Sequence, residues 1–124
     1  MILVDTDIII WILRGDEILR DAFKRIVKET DGYVFVTPVQ FAEIYAGIRP
    51  KEEKKVDKFF SSLKTTIVDR DTGKMAGTFM KQFRKSHNVT LADAFIAASS
   101  RLNHFKLWTN NKKHYPMLDE DEFV

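Results

Sequence analysis

Apolar residues along this chain follow two spacings in turn. Ile2–Val4 is a short apolar run at the N-terminus. Residues 33–36, the β-branched run 65–68 and residues 105–108 are three more, with Phe123 and Val124 reading as the remnant of a fifth. Between these strand candidates the period becomes helical. Ile18, Leu19, Ala22, Phe23, Ile26 and Val27 make one stripe, Val56, Phe59, Phe60 and Leu63 a second, and Met75, Ala76, Phe79, Met80 and Phe83 a third. Each stripe predicts a core-facing helix. Strands separated by helices predict an α/β fold with a parallel sheet covered on both faces. Ligands of such sheets bind at the carboxyl ends of the strands, where the winding reverses.

Two helix starts are legible. Thr37-Pro38-Val39-Gln40 offers a threonine cap, proline at the first helical position and glutamine in the third, which is a capping box. Thr90-Leu91-Ala92-Asp93 repeats the plan with aspartate in the third position. Both helices that follow are apolar on nearly every side, the pattern of a buried helix. Glu43 is the lone acid among Val39, Phe41, Ala42, Ile44, Tyr45, Ala46 and Ile48. Asp93 is the lone acid among Leu91, Ala92, Ala94, Phe95, Ile96, Ala97 and Ala98.

Those acids are the informative residues. An unpartnered buried carboxylate costs several kcal/mol, comparable with the whole stability of a small domain. Glu43 and Asp93 therefore require a cation, a set of donors, or an opening to water. Asp5 poses the same problem where the first strand ends, and Asp7 follows two residues later. Structural readings stand beside the functional ones: Asp7 as the cap of the next helix, Asp93 as the third residue of its capping box, and Glu43 paired with Arg49 or Arg14. Asp5 has no such duty if Asp7 is the cap. Three isolated acids, two in apolar helices and one at a strand end, point to a shared site.

Composition narrows the chemistry. A chain of 124 residues, 44% apolar and free of cysteine, suits one domain spanning 1–124 and excludes disulfides, thiolate metal sites and a cysteine nucleophile. No basic leader or membrane-length apolar run is present, which predicts a cytoplasmic protein. The net charge of +2 conceals a bias, because residues 1–118 hold all 20 cations but 14 of the 18 acids, a body of +6. That charge favours a polyanion, although it is also ordinary for a solvated surface. No GxGxxG or GK[ST] cradle occurs, and His87, His104 and His114 lack the spacing of a zinc helix. The GxxxG of Gly73 and Gly77 reads as a close-packing site.

Carboxylates without cysteine or paired histidines describe a hard-cation site. Mg²⁺ and Mn²⁺ prefer oxygen ligands and exchange their waters for phosphate oxygens. They serve phosphoryl chemistry through activated water. Arg84, Lys85, Lys112 and Lys113 are candidate phosphate contacts. Two other classes fit parts of the pattern. An aspartyl-phosphate protein is suggested by Asp5-Thr6-Asp7, as in a phosphatase, or by the length, as in a receiver domain, but Ile9 stands where a phosphatase motif needs threonine, and Asp69 after Val68 does not close the third strand in the setting of a phosphoacceptor. A non-catalytic RNA-binding module with the same fold is the second.

The sequences Val4-Asp5-Thr6-Asp7, Thr37-Pro38-Val39-Gln40-Phe41-Ala42-Glu43, Leu91-Ala92-Asp93-Ala94-Phe95-Ile96-Ala97-Ala98 and Leu107-Trp108-Thr109-Asn110-Asn111, in this order and spacing, resemble the PIN domain. More narrowly they resemble VapC-type toxins of prokaryotic toxin–antitoxin pairs. The resemblance spans essentially the whole chain. It implies an α/β/α sandwich around a parallel sheet of four to five strands, and Mg²⁺- or Mn²⁺-dependent endoribonuclease activity leaving 5′-phosphate and 3′-hydroxyl ends. It implies that Asp5, Glu43 and Asp93 are the acidic catalytic and metal-site residues, with Thr6 and Thr109 as hydroxyls that position acids or water. Asn111 stands where many members carry a fourth acid, so a second metal would be held more weakly. The resemblance further implies a homodimer, and a VapB-like antitoxin whose tail covers the acidic pocket.

Overall fold

A computed structural model describes all 124 residues. The elements run β1 (Ile2–Val4), α1 (Thr6–Leu13), α2 (Glu17–Glu29), β2 (Val34–Val36), α3 (Pro38–Gly47), α4 (Glu53–Ser61), β3 (Lys64–Thr65), α5 (Arg70–His87), α6 (Leu91–Leu102) and β4 (Lys106–Trp108). Short 3₁₀ turns precede α4 and follow β4. The strands form one parallel sheet in the order β3-β2-β1-β4, with Leu3 opposite both Phe35 and Leu107. Phe123 bridges to Leu107 in parallel, the remnant of a fifth strand that the C-terminal residues suggest. No helix is long and apolar enough to cross a membrane.

Period-two alternation along three-residue strands sorts the core into two layers. Leu3 and Leu107 face Ala76 and Phe79 of α5 and Ile96 and Ala97 of α6. Val4, Val34, Val36 and Trp108 face Ile8, Ile9 and Ile12 of α1, Ile26 of α2, Ile44 of α3 and Phe60 of α4. Each fully buried aliphatic side chain contributes roughly 1.5–3 kcal/mol. The first three strands step outward one way from β1, and the chain then returns to place β4 on the other side. The winding therefore reverses between β1 and β4.

Several sequence expectations change in three dimensions. The third strand shrinks from residues 65–68 to Lys64–Thr65. Its neighbour β2 ends at Val36 and turns into α3, so after the Thr66 N–H bond to the Val36 carbonyl there is no further partner, and Ile67 is 79% exposed. Helix α3 is not buried all round: Gln40 and Ile44 are buried, whereas Ala42, Glu43, Ala46 and Gly47 are open to solvent. Its apolar character on that side comes from small residues that cover little area. Ile18, assigned to the α2 core stripe, is 81% exposed, because Ile26 and the half-buried Leu19, Ala22, Phe23 and Val27 turn inward to the helical layer instead, with the Phe23 ring 5.3 Å from that of Phe59 in α4. Asp69 serves α5 as its N-cap, accepting from the Thr72 N–H and hydroxyl at 3.0 and 2.9 Å, which holds its carboxyl below the usual range.

Gly73 and Gly77 touch nothing that requires their smallness, since a Cβ at either meets no atom within 4 Å. Gly77→Ala is therefore expected to stabilise the protein by about 0.5–1 kcal/mol through helix propensity. A lower denaturation midpoint in the variant would show a packing role that the structure lacks.

The acidic residues 119–122 are tied into the fold. Arg101 donates to both Glu122 oxygens at 3.2 and 2.7 Å and to the Met117 carbonyl at 2.6 Å, with its guanidinium 5.4 Å from the Phe79 ring centre. The charge-assisted bonds hold the Glu122 carboxyl below its usual range.

Candidate active site

The carboxyl end of β1 carries the first acid. The Asp5 N–H donates to the Trp108 carbonyl at 2.9 Å, so the ladder to β4 continues one residue past Val4. Asp5 is also the N-cap of α1: Oδ1 accepts from the Thr6 N–H at 2.8 Å, while Oδ2 accepts from the Thr109 hydroxyl at 2.7 Å. The register of Val4 with Trp108 sets Asp5 beside Thr109 across 104 residues of sequence. This is the reversal point of the sheet, where α/β folds place their ligands.

The capping duty assigned to Asp7 thus falls to Asp5. Asp7 lies in the first turn of α1, with Oδ1 accepting from the Ile8 N–H at 2.8 Å. Its Oδ2 accepts from the Asn110 N–H at 3.0 Å and from Asn111 Nδ2 at 2.9 Å. Asn111 also donates its N–H to the Thr109 hydroxyl oxygen at 3.0 Å. Asn111 therefore stands as a donor that orients Asp7 and Thr109, and its amide answers an acid.

Glu43 projects from the exposed side of α3 and accepts from the Thr6 hydroxyl at 2.7 Å. It forms an ion pair with neither Arg14 nor Arg49: the molecule's four ion pairs are Arg25–Glu29, Arg49–Glu52, Arg101–Glu122 and Lys112–Glu120. Asp93 does not complete a capping box. The Thr90 hydroxyl accepts from its N–H at 3.1 Å, but its carboxylate turns to the Tyr115 hydroxyl, 3.4 Å from Oδ1. Asp5, Glu43 and Asp93 thus answer to different partners, and none of them meets a cationic side chain.

Tyr115 escapes a reading of the sequence. It follows Lys112, Lys113 and His114 in what looks like a solvated loop, yet it is among the most buried side chains of the core. Its hydroxyl faces both Asp5 and Asp93, and burial with those charges raises its pKa far above the ordinary value. Gln40 has a second duty beyond its capping box. Its Oε1 accepts from the Thr37 N–H at 2.9 Å, and its Nε2 donates to the Val4 carbonyl at 3.0 Å, pinning the end of β1 to α3. Of the cationic candidates, Lys112 pairs with Glu120 at 2.6 Å, and Arg84, Lys85 and Lys113 are exposed. The three histidines are exposed as well.

The electrostatics follow from this arrangement. Asp5 is only 6% exposed, and its pKa is pushed up to about 7. Burial is the main cause and the neighbouring Asp7 charge the next, offset in part by bonds from Thr109, Tyr115 and the Thr6 N–H. A set of all-oxygen donors with excess negative charge and no cation of its own suits a hard divalent ion. No three of these acids bring ligand oxygens within 4.8 Å of one another; the trio that does so is Asp119, Asp121 and Glu122, of which Glu122 is already engaged by Arg101. Asp5, Glu43 and Asp93 therefore fit an ion that takes one or two carboxylates and keeps water for its other positions.

The PIN domain family profile matches residues 2–117. Ribonuclease VapC10 of Mycobacterium tuberculosis is 33% identical over 121 residues, covering 97% of this chain and 90% of that protein. Ribonuclease VapC19 of the same organism is 29% identical over 121 residues, covering 97% and 96%. In fold, the chain resembles the crystal structure of VapBC2 from Rickettsia felis bound to a DNA fragment from their promoter, with a TM-score of 0.81 at 18% identity over 100% of this chain and 96% of that one. With a profile match over nearly its whole length, and a relative of matching extent at 33% identity, this chain belongs to the PIN-domain family.

Proposed function

We propose that this protein is a Mg²⁺- or Mn²⁺-dependent endoribonuclease that hydrolyses RNA phosphodiester bonds, acting in the cytoplasm as the toxin of a VapBC-type pair. The observation that carries the reading is the set of acids without counter-cations at the reversal point of the sheet, with Asp5 buried at its base. The naming of the relatives as ribonucleases supports it. The basic body supports attraction of a polyanion.

Asp5 and Asp93 hold the ion, and Glu43 completes the pocket directly or through water. When bound, a divalent ion supplies Lewis-acid charge to the phosphate and lowers the pKa of water toward neutrality. The chain's own residues prepare for it. Thr109 and the Thr6 N–H fix the Asp5 carboxylate in one orientation, and the Thr6 hydroxyl aims Glu43. Burial of Asp5 excludes water that would screen its charge. A VapB-like antitoxin presenting a cation to the same acids would silence the enzyme. A homodimer is supported by the open apolar surface of Val39, Ala42, Val68, Leu91 and Phe95.

The test is incubation of the purified protein, freed of any bound partner, with structured and unstructured RNA in Mg²⁺, Mn²⁺ or EDTA, beside Asp93→Asn. Cutting that requires a divalent ion and is lost in the variant is the expected result. Cutting that persists in EDTA, or equally in Asp93→Asn, would remove the metal-site assignment.

Asn111 supports a site in which Asp7 is oriented by an amide. Asn111→Asp removes a donor and sets a second carboxylate beside Asp7, so in EDTA the variant is expected to lose about 1–2 kcal/mol of stability. Mn²⁺ should restore more stability to it than to the wild type, as seen in thermal melts. An identical response of the two proteins to Mn²⁺ would rule out position 111 as part of the ion's surroundings.

A further inference from the structure

One edge of α1 leads away from the acids and is built differently from the rest of the surface. Ile8, Ile9 and Ile12 face the core, which leaves Asp7, Trp11 and Arg14 at i, i+4 and i+7 along the exposed side. Asp7 is anchored to Asn110 and Asn111 beside Asp5 and Thr109. Four residues of helix carry Trp11 about 6 Å farther along the axis. Its indole is 48% exposed, and the Arg14 guanidinium lies 5.6 Å from the ring centre and pairs with no carboxylate. Arg14 also lines a groove of about 420 Å³ between α1 and α3, whose floor includes Ile10, Leu13 and Ile48 and whose lining includes Glu43. Arg14 is therefore joined to the acids twice, along α1 through Asp7 and across the groove through Glu43, and Trp11 once, along α1.

From this placement we propose that Trp11 and Arg14 form a subsite for the nucleotide next to the bond being cut, with its base stacked on the indole and a flanking phosphate held by the guanidinium. The inference rests on the ribonuclease reading and adds to it the position where a single strand is gripped. Single-stranded nucleic acid is bound by aromatic faces on which bases stack and by cations that follow the backbone, and this edge offers an indole one turn and a guanidinium two turns along α1 from Asp7. An unpaired cation beside an open indole has charge and shape for such a strand. The sequence tolerance of stacking makes the subsite a grip for any base.

The experiment uses the full chain carrying Asp5→Asn, so that RNA is bound without being cut, and a fluorescein-labelled single-stranded RNA octamer of mixed sequence in Mg²⁺. Adding Trp11→Ala is expected to weaken binding roughly ten- to hundredfold, whereas Trp11→Tyr keeps most of it. Adding Arg14→Gln is expected to flatten the slope of log affinity against log salt by about 0.7. In the cleaving protein, Trp11→Ala should raise KM and spare kcat. Unaltered RNA binding by Trp11→Ala, in a protein whose Asp5-bearing form cuts RNA, would overturn the subsite and leave the nuclease standing. Unaltered RNA binding together with lost antitoxin binding would reassign this edge to a protein partner. Absence of both binding and cutting in every form would remove the subsite along with the function on which it rests.

Discussion

Asp5→Asn is expected to reduce RNA cleavage by roughly 10²–10³-fold while making the metal-free protein more stable at pH 8. The two effects have one cause. Burial and the Asp7 charge raise the folded-state pKa of Asp5 from 3.8 to about 7. Between those values the folded chain holds a proton that the unfolded chain has released, so stability falls as pH rises from about 4 to about 7. Above pH 7 the full cost is present, roughly 2–4 kcal/mol. Asparagine has no proton to lose. Its oxygen still accepts from the Thr6 N–H, and its amide can donate to the Thr109 oxygen, which keeps both partners without the charge but reverses the bond to Thr109. Denaturant unfolding in EDTA should give similar stabilities near pH 4 and a variant that is clearly more stable at pH 8. Saturating Mg²⁺ should close the gap by stabilising the wild type. Equal pH slopes in the two proteins would show that burying the Asp5 charge beside Asp7 carries no such cost.

Gln40→Leu is expected to cost about 3–5 kcal/mol, a large share of the stability of a chain this size. The Gln40 side chain is fully buried and satisfies the Thr37 N–H and hydroxyl with its oxygen and the Val4 carbonyl with its amide. Leucine matches the volume but leaves these polar groups unanswered in a dry interior. The Val4 carbonyl directly precedes Asp5, so cleavage should also fall in protein that remains folded at low temperature. Chemical denaturation of the variant checks the first effect, and cleavage at 10 °C the second. A loss under about 1 kcal/mol would mean that water or a neighbouring group replaces the amide.

Much of the fold is legible in local pattern because its causes are local. The capping box at Thr37 needs only Thr37, Pro38 and Gln40, and the structure contains it. The apolar run Ile2–Val4 becomes the central strand β1 because both of its faces are covered. Local pattern misjudges α3, whose alanines count as apolar in any periodicity but whose burial depends on what lies opposite. It also lengthens β3, since the length of an edge strand is set by its neighbour β2.

The amino-acid sequence by itself determined the period of each element, the helix starts, the absence of thiol chemistry, and the oddity of single acids in apolar surroundings. These depend on neighbours a few residues apart, where the chain's own geometry does the placing. Only the tertiary structure decided which acids share surroundings and what holds them. The register of β1 with β4 brings Thr109 to Asp5, the turn after β4 carries Asn111 to Asp7, and the packing of the C-terminal segment buries Tyr115 against Asp5 and Asp93. Those contacts span 22 to 110 residues of sequence and arise from strand order and core packing, which no local spacing encodes.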